Sequence, residues 1–327
     1  MAREIAIGRF GPPEVLEPRQ VPDSPPRAGE LRIRQTAVGV NFTDVHGRRG
    51  DYAPLHALPM PLVLGLEAAG VVEAVGEGVE RFRTGDRVAY ASPPIGAYRD
   101  ARNFPAERCV ALPPGVSERE AATVLLKGLT LQTLLRRVFR VSPGAWVVFH
   151  SAAGGVGTLA GQWLRALGAR AIGVVGDEGK VEAARAAGYE AVFVRGRDDW
   201  PARVRELSGG GVSAVYDPVG RDTWHGSLAC LAARGHLVCF GNSSGLAPPF
   251  QVNELRDRGS LVLTWVRYSD YTATAVELQS AAKELFDAIA SGALKPPVAR
   301  CLPLDEAAQA HRLLESGRTT GPLVLLP

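Results

Sequence analysis

Apolar and polar residues follow two different rhythms along this chain, and the change falls near residue 117. Before it, short β-type runs such as EIAIGRF, ELRIRQTAVGV, AAGVVEAVG and GDRVAYA are cut by the turn residues GPPE, DSPPRAGE and RTGD. Strands this short, punctuated this often, predict a mostly β unit, a partly open barrel. From Ser117 the stretch SEREAATVLLKGLTLQTLLRRVF takes up helical spacing behind a Ser cap with a Glu three residues later, and VSPG stops it at 141–144.

Beyond that break the chain alternates. AWVVFH, RAIGVVG, EAVFV, VSAVYDPVG and HLVCFGN read as buried strands. GVGTLAGQWLRALG, EGKVEAARAAG, DWPARVRELSGG and TWHGSLACLAARG read as the helices between them, and GSLVLTWV as a further edge strand. Apolar strands alternating with amphipathic helices predict βαβ units and a parallel sheet covered on both faces. The fold class expected is therefore α/β, a doubly wound sheet joined to a smaller β domain. A sheet ending near residue 265 leaves no place for the tail, with its helix VELQSAAKELFDAIASG, the segment DEAAQAHRLLESG and the strand PLVLLP. The tail is expected to return to the first domain.

Composition adds exclusions. A chain of 327 residues is long enough for two domains. A net charge of +3, evenly spread, gives no nucleic-acid surface, and the arginines read as solvated faces. Cys109, Cys230, Cys239 and Cys301 lie far apart and form no CxxC pair, which suits free thiols in a reducing compartment. With no leader-like apolar segment at the start and no apolar run of about 18 residues, a cytoplasmic protein without membrane contact is expected.

The candidate chemistry begins at HSAAGGVG, residues 150–157, between a predicted strand and a predicted helix. Read as GxGxxG it places Ala152, Gly154 and Gly157 in the three slots. Gly154 lets the backbone approach a pyrophosphate, and Gly157 lets the helix pack close to the strand. The N–H groups of Gly155, Val156 and Gly157 would face the phosphates, helped by the helix dipole. Asp177, just past the second strand, is placed to grip the ribose hydroxyls of NAD. Gly176 leaves room for a 2′-phosphate, however, and Lys180, Arg195 and Arg197 follow on the next turns, which favours NADPH.

The stretch AVGVNFTDVHGRRGDY at 37–52, then PLVLGLEAAGVVEAVGEGVERFRTGDRVAY, LLKGLT, FHSAAGGVG, QWLRALGA, VYDPVG, CFGNSSG and GSLVLT, follow one another in order. Together they resemble the medium-chain dehydrogenase/reductase superfamily, in particular its NADPH-dependent quinone oxidoreductases of the zeta-crystallin type. The resemblance implies a GroES-like catalytic domain at 1–124 with 266–327 returning to it, a Rossmann domain at 125–265, and the cofactor in the cleft between them. Zinc-dependent relatives carry Cys where this chain has Asn41 and His–Glu where it has Leu66–Glu67, and the lobe of four clustered cysteines is absent. An amide and a leucine cannot replace thiolate and imidazole, so a site without metal is expected.

The same resemblance implies hydride transfer from NADPH to quinones, with α,β-unsaturated aldehydes or ketones as alternative acceptors, and a protein that only binds NADPH as a further alternative. It puts Asn41, His46 and Tyr52 in the active site. Asn41 could bond the nicotinamide ribose or the acceptor oxygen, or satisfy its own turn, and Tyr52 could donate to the developing oxyanion. His46 replaces a Tyr of close relatives, and histidine brings a charge that changes near neutrality. Lys127 and Thr130 are implied near the nicotinamide half. Phe240, Gly241, Asn242 and Ser243 are implied to line the cofactor, and Arg195 to stack on the adenine and meet the 2′-phosphate. Asp217 is expected to cap the next turn. Arg318 follows Gly317, where relatives have an arginine that meets the cofactor. A homodimer is implied, paired through the edge strand GSLVLTWV.

Overall fold

The computed structural model describes residues 1–317 and 321–327. The chain divides into two compact units. One holds Met1–Leu126, Ala273–Ala282 and Pro296–Pro327, the other Lys127–Thr272 and Lys283–Lys295. The helix Ala275–Ala290 is thus shared, whereas the apolar pattern had assigned everything after 265 to the first domain. Its early turn belongs with the first unit, where Gln279 donates to the Cys109 carbonyl at 2.9 Å. Its later turns belong with the second, where Leu285 packs onto Gly128 and Glu284 accepts from Gln132.

The second unit is built on a six-stranded sheet in the order Ala191–Val194, Arg170–Val175, Trp146–His150, Val212–Asp217, Leu231–Cys239, Val262–Trp265. Every pairing is parallel. Val147, Val148 and Phe149 are fully buried, as an inner strand covered on both faces requires. The strand Trp146–His150 has its successor Arg170–Val175 on one side and Val212–Asp217 on the other. Chain order therefore reverses at its end, which is where doubly wound sheets form ligand sites.

One expected helix is cut short. TWHGSLACLAARG continues as helix only through Trp224–Ala229, and the strand Leu231–Cys239 begins two residues later. Its register jumps, with Leu231 opposite Val212 but His236 opposite Ala214, and Arg234 takes φ +60° in the extra loop of backbone. Pairing with the neighbouring strand outweighs the helical spacing of these residues.

The first unit carries a seven-stranded sheet running Arg300–Pro303, Leu323–Leu326, Glu30–Val40, Glu67–Val75, Arg87–Ala91, Val110–Ala111, with Ala101–Pro105 also paired to Glu30–Val40. A three-stranded sheet joins Leu16–Val21, Ala2–Ile7 and Leu62–Val63. Inward residues such as Leu31, Ile33, Val38, Tyr90 and Phe104 are fully buried. The reading of the arginines as solvated faces fails here twice. Arg102 is buried with its guanidinium over the rings of Phe104 and Tyr90. Arg48 is 1% exposed, paired to both carboxylate oxygens of Glu315 at 2.8 Å and facing the imidazole of His311. Both side chains carry planar donors that suit a ring face or a carboxylate, so charge alone did not keep them at the surface.

Two predictions follow from this packing. A Cβ at Gly157 would lie 2.2 Å from the Ser151 carbonyl oxygen, whereas one at Gly176 would meet nothing closer than 3.9 Å. Gly157→Ala is therefore expected to cost about 1–3 kcal/mol, and Gly176→Ala to change stability by less than about 0.5 kcal/mol. Equal thermal midpoints for the two variants would contradict this. The second concerns pH. Burial, and then the adjacent Arg48 charge, push the His311 imidazole from 6.5 down to about 3. Between those values the unfolded chain binds a proton that the folded chain refuses, so stability falls as pH is lowered through that window. The slope for this group approaches about 1.4 kcal/mol per pH unit. Denaturant unfolding at pH 7.5 and pH 5 should show the loss, and His311→Gln should lessen it.

Candidate active site

The strand Trp146–His150 ends in a turn that leads directly into the helix Gly155–Ala166. Ser151 takes φ +54°, and its carbonyl accepts the Gly154 N–H at 2.8 Å. Thr158 N–H bonds to Gly154 O at 2.9 Å, which opens the helical ladder. Gly155, Val156 and Gly157 precede it, so their N–H groups have no carbonyl one turn back within the helix. Gly154 and Gly155 are exposed, while Ala152 and Gly157 are buried against the strand end. A Cβ at Gly155 would lie 3.2 Å from Lys127 Cε, so this buried lysine runs alongside the turn. Thr130 sits one turn further along the same helix, Glu118–Gln132, and is half-buried. A bare, exposed backbone with N–H groups unpaired within the helix, a positive helix end and a lysine beside it fits a diphosphate.

At the next strand, Gly176 follows Val175 into open space bordered by the Arg195 guanidinium. Lys180 pairs with Asp177 at 3.0 Å and Arg197 with Glu178 at 2.7 Å, all exposed or half-buried. Gly176, Lys180 and Arg195 thus gather at one strand end, as a nucleotide ribose phosphate would need. Further on, Phe240 N–H bonds to Asp217 O at 3.0 Å, and its ring lies 5.7 Å from that of Phe149. Gly241 comes so close to Pro218 that a Cβ would lie 2.7 Å from its carbonyl oxygen. Asn242 O accepts from Gly245, and Ser243 N–H donates to Pro218 O. Asp217 accepts the N–H groups of Val219 and Gly220 at 2.8 and 3.1 Å, capping the turn after its strand. Arg318 lies outside the described residues.

The first unit holds the other half of the candidate set. Asn41 caps a helix, Phe42–Arg49, that the apolar spacing did not reveal. Its backbone N–H donates to Asp44 Oδ2 at 2.9 Å and its side-chain amide to Glu67 Oε2 at 2.8 Å. Glu67 is fully buried, and its other oxygen accepts the Leu126 N–H at 2.7 Å. Gly39 makes this possible, because a Cβ there would lie 2.6 Å from Glu67 Oε2 and 2.3 Å from the Ala122 carbonyl. His46, on the same helix, faces Asp51 through Nδ1 at 3.1 Å and meets Phe42 edge-on. Tyr52 is 48% exposed at the start of the turn Ala53–Ala57. Asp44 went unnoticed and Glu67 entered only as half of a lost zinc pair; Asn41 with Asp44 three residues later is a capping pattern that could have revealed the helix and its carboxylate.

Two family models match this chain. One, described as the alcohol dehydrogenase GroES-like domain, covers residues 27–114, and the other, described as zinc-binding dehydrogenase, covers 187–325. Quinone oxidoreductase 1 of Escherichia coli is 42% identical over the whole of both chains. The chain belongs to the quinone oxidoreductase family. It is thereby an oxidoreductase of the medium-chain dehydrogenase/reductase superfamily. A 2-haloacrylate reductase from a Burkholderia species is 41% identical, with all of this chain and 99% of that protein aligned. The crystal structure of Escherichia coli quinone oxidoreductase complexed with NADPH superposes with a TM-score of 0.93, at 42% identity over 99% of this chain and all of the other.

The word zinc in one of those descriptions can be tested on the donors present. Tetrahedral zinc takes thiolate, imidazole or carboxylate ligands. Position 41 offers an amide whose nitrogen is turned toward Glu67, and position 66 a leucine. Among the described residues no three His, Cys, Asp or Glu side chains stand together as a metal site. The residues do not fit zinc. No helix of the described residues is long and apolar enough to cross a membrane.

Because both Glu67 oxygens receive N–H groups, Glu67→Gln would turn an NH2 toward a donor. It is expected to destabilise the protein by about 1–3 kcal/mol. A denaturation midpoint unchanged from the parent would refute this role for the carboxylate.

Proposed function

We propose that this chain reduces quinones with NADPH at a site that uses no metal. The observation that carries the reading is the glycine turn at the reversal point of the parallel sheet, with a lysine along one side and a side-chain-free strand end at Gly176. Likeness over its full length to proteins named quinone oxidoreductase, one of them complexed with NADPH, supports the same reading.

The turn 151–157 and the N–H groups of Gly155, Val156 and Gly157 hold the diphosphate. Lys180 and Arg195 hold the 2′-phosphate beside Gly176, and Lys180 exchanges its present partner Asp177 for that group. Lys127 and Thr130 serve the nicotinamide half, and Phe240, Gly241, Asn242 and Ser243 line the remainder. NADPH supplies a hydride when bound. The protein's own part is then placement, together with donors for the oxygen on which negative charge develops. Asn41, fixed by Glu67 and Asp44, orients the acceptor or the ribose. Tyr52, exposed and phenolic, donates toward the oxyanion. His46, its Nδ1 facing Asp51, is the third side chain of the acceptor site. The first unit is the catalytic domain and the second the cofactor domain. Pairing of two copies along the exposed edge strand Val262–Trp265, where Trp265 is 54% exposed, gives a homodimer. Free thiols throughout suit a cytoplasmic location.

A second reading, reduction of conjugated enones, is favoured by the likeness to a 2-haloacrylate reductase. NADPH oxidation measured against a quinone panel and an alkenal panel separates the two. Turnover of alkenals alone would remove the quinone reading, and tight NADPH binding without turnover on either panel would leave only a binding protein. Lys180→Ala is expected to reduce the preference for NADPH over NADH by about tenfold or more, since a charged contact to phosphate contributes about 1.5–3 kcal/mol. Titration of both cofactors checks this, and an unchanged preference would take Lys180 out of the phosphate site.

A further inference from the structure

Four side chains of the first unit form a buried polar chain whose direction follows from what each can donate. Arg48 is a donor only. Its Nη1 lies 3.3 Å from His311 Nδ1, so that ring nitrogen accepts. The proton of the neutral imidazole then sits on Nε2, 2.9 Å from the Tyr98 hydroxyl, which accepts it. Tyr98 turns its own proton to Asp44 Oδ2 at 3.1 Å. The same oxygen accepts the Asn41 N–H. His311 and Tyr98 are fully buried, with Arg48 at 1% and Asp44 at 3%. At the outer end Glu315 holds Arg48 with both oxygens and Arg49 at 2.6 Å. Burial keeps His311 neutral, so the donor order does not reverse in the ordinary pH range.

We propose that this chain, from Glu315 on the helix Ala307–Glu315 inward to Asp44, is a positioning network that sets the place of Asn41. The proposal rests on the reading of Asn41 as a site residue. Buried ion pairs and their hydrogen bonds add little to stability compared with a well-packed apolar set of the same volume. What such a set cannot do is aim. One carboxylate oxygen takes both the Tyr98 hydroxyl and the Asn41 N–H, so the start of the helix Phe42–Arg49 is located by a hydroxyl that is itself located by His311 and Arg48. None of the four touches the reacting atoms; each acts through Asn41.

Tyr98→Phe removes two hydrogen bonds with almost no change of shape. With NADPH and 1,4-benzoquinone it should lower kcat about tenfold, as a small misplacement in an active site does, with the KM for NADPH unchanged. Added to Asn41→Ala it should lower kcat no further, because both act at one point. His311→Leu should resemble Tyr98→Phe, and His311→Gln, whose amide still donates to Tyr98, should restore most of the loss. The core variant Leu304→Ala is the control for lost stability alone and should keep kcat. In the cofactor-free protein, deuterium exchange of the peptide covering 41–49 should rise in Tyr98→Phe and not in Leu304→Ala. If Asn41→Ala loses kcat while Tyr98→Phe keeps it, or if the two losses multiply, or if the exchange is unchanged, the network proposal fails and the site reading stands. If Asn41→Ala itself keeps kcat, the site reading fails and the proposal with it.

Discussion

Between His150 and Gly155 a strand becomes a helix with so little room that backbone presses on backbone, and the second unit is organised around that contact. A Cβ at Gly157 would sit far inside van der Waals contact distance of the Ser151 oxygen, and one at Gly173 on the neighbouring strand would lie 2.8 Å from the Ala152 methyl. The helix starts this close, and its first N–H groups have no carbonyl one turn back within the helix. The same closeness brings Lys127 beside the turn, since a glycine at 155 leaves its stem a path. The bareness of the turn and the helix-to-sheet packing are here one geometric fact.

The first unit solves a different problem. It places charged groups inside a β core, and a buried charge must be paired and fully hydrogen-bonded or it destabilises the fold. Glu67 meets this with two N–H donors and Arg48 with Glu315 and the Gly11 carbonyl, whereas Arg102 has two aromatic faces and the carbonyl oxygens of Pro94 and Ile95 but leaves its Nε without a partner. These groups fix angles that apolar packing would leave looser. Glu67 at its cap and Arg48 within it explain why the helix Phe42–Arg49, eight residues with an exposed outer face, holds a defined position.

The glycine turn could be read from sequence because few residue types tolerate its geometry, and the alternation around it placed it between strand and helix. The strands of the parallel sheet were legible for a similar reason, being apolar throughout. The helix from Ser117 was legible too, and its cap is in place, with Ser117 Oγ accepting the Glu120 N–H at 3.2 Å. What stayed hidden depends on distant partners. Arg48 is a core residue only because Glu315, 267 positions away, folds over it, and no local pattern carries that information. TWHGSLACLAARG has helical spacing, yet the strand beside it claims its second half. Glu67 looked like the remnant of a metal site, and its work as a double acceptor became visible only with Leu126 and Asn41 placed against it.

Asp217 serves more than its own turn. Thr223 and Ser227 also donate to it, and Ser227 in turn accepts the Nε2 proton of His150, the last residue of the strand before the glycine turn. Those hydroxyls arrive only when the helix Trp224–Ala229 is docked. The end of one strand, the turn of the next and a short helix are therefore tied together through one carboxylate. Thermal loosening of that helix would strip the partner from His150, so the strand end that leads into the glycine turn depends on a side chain 77 positions further along the chain.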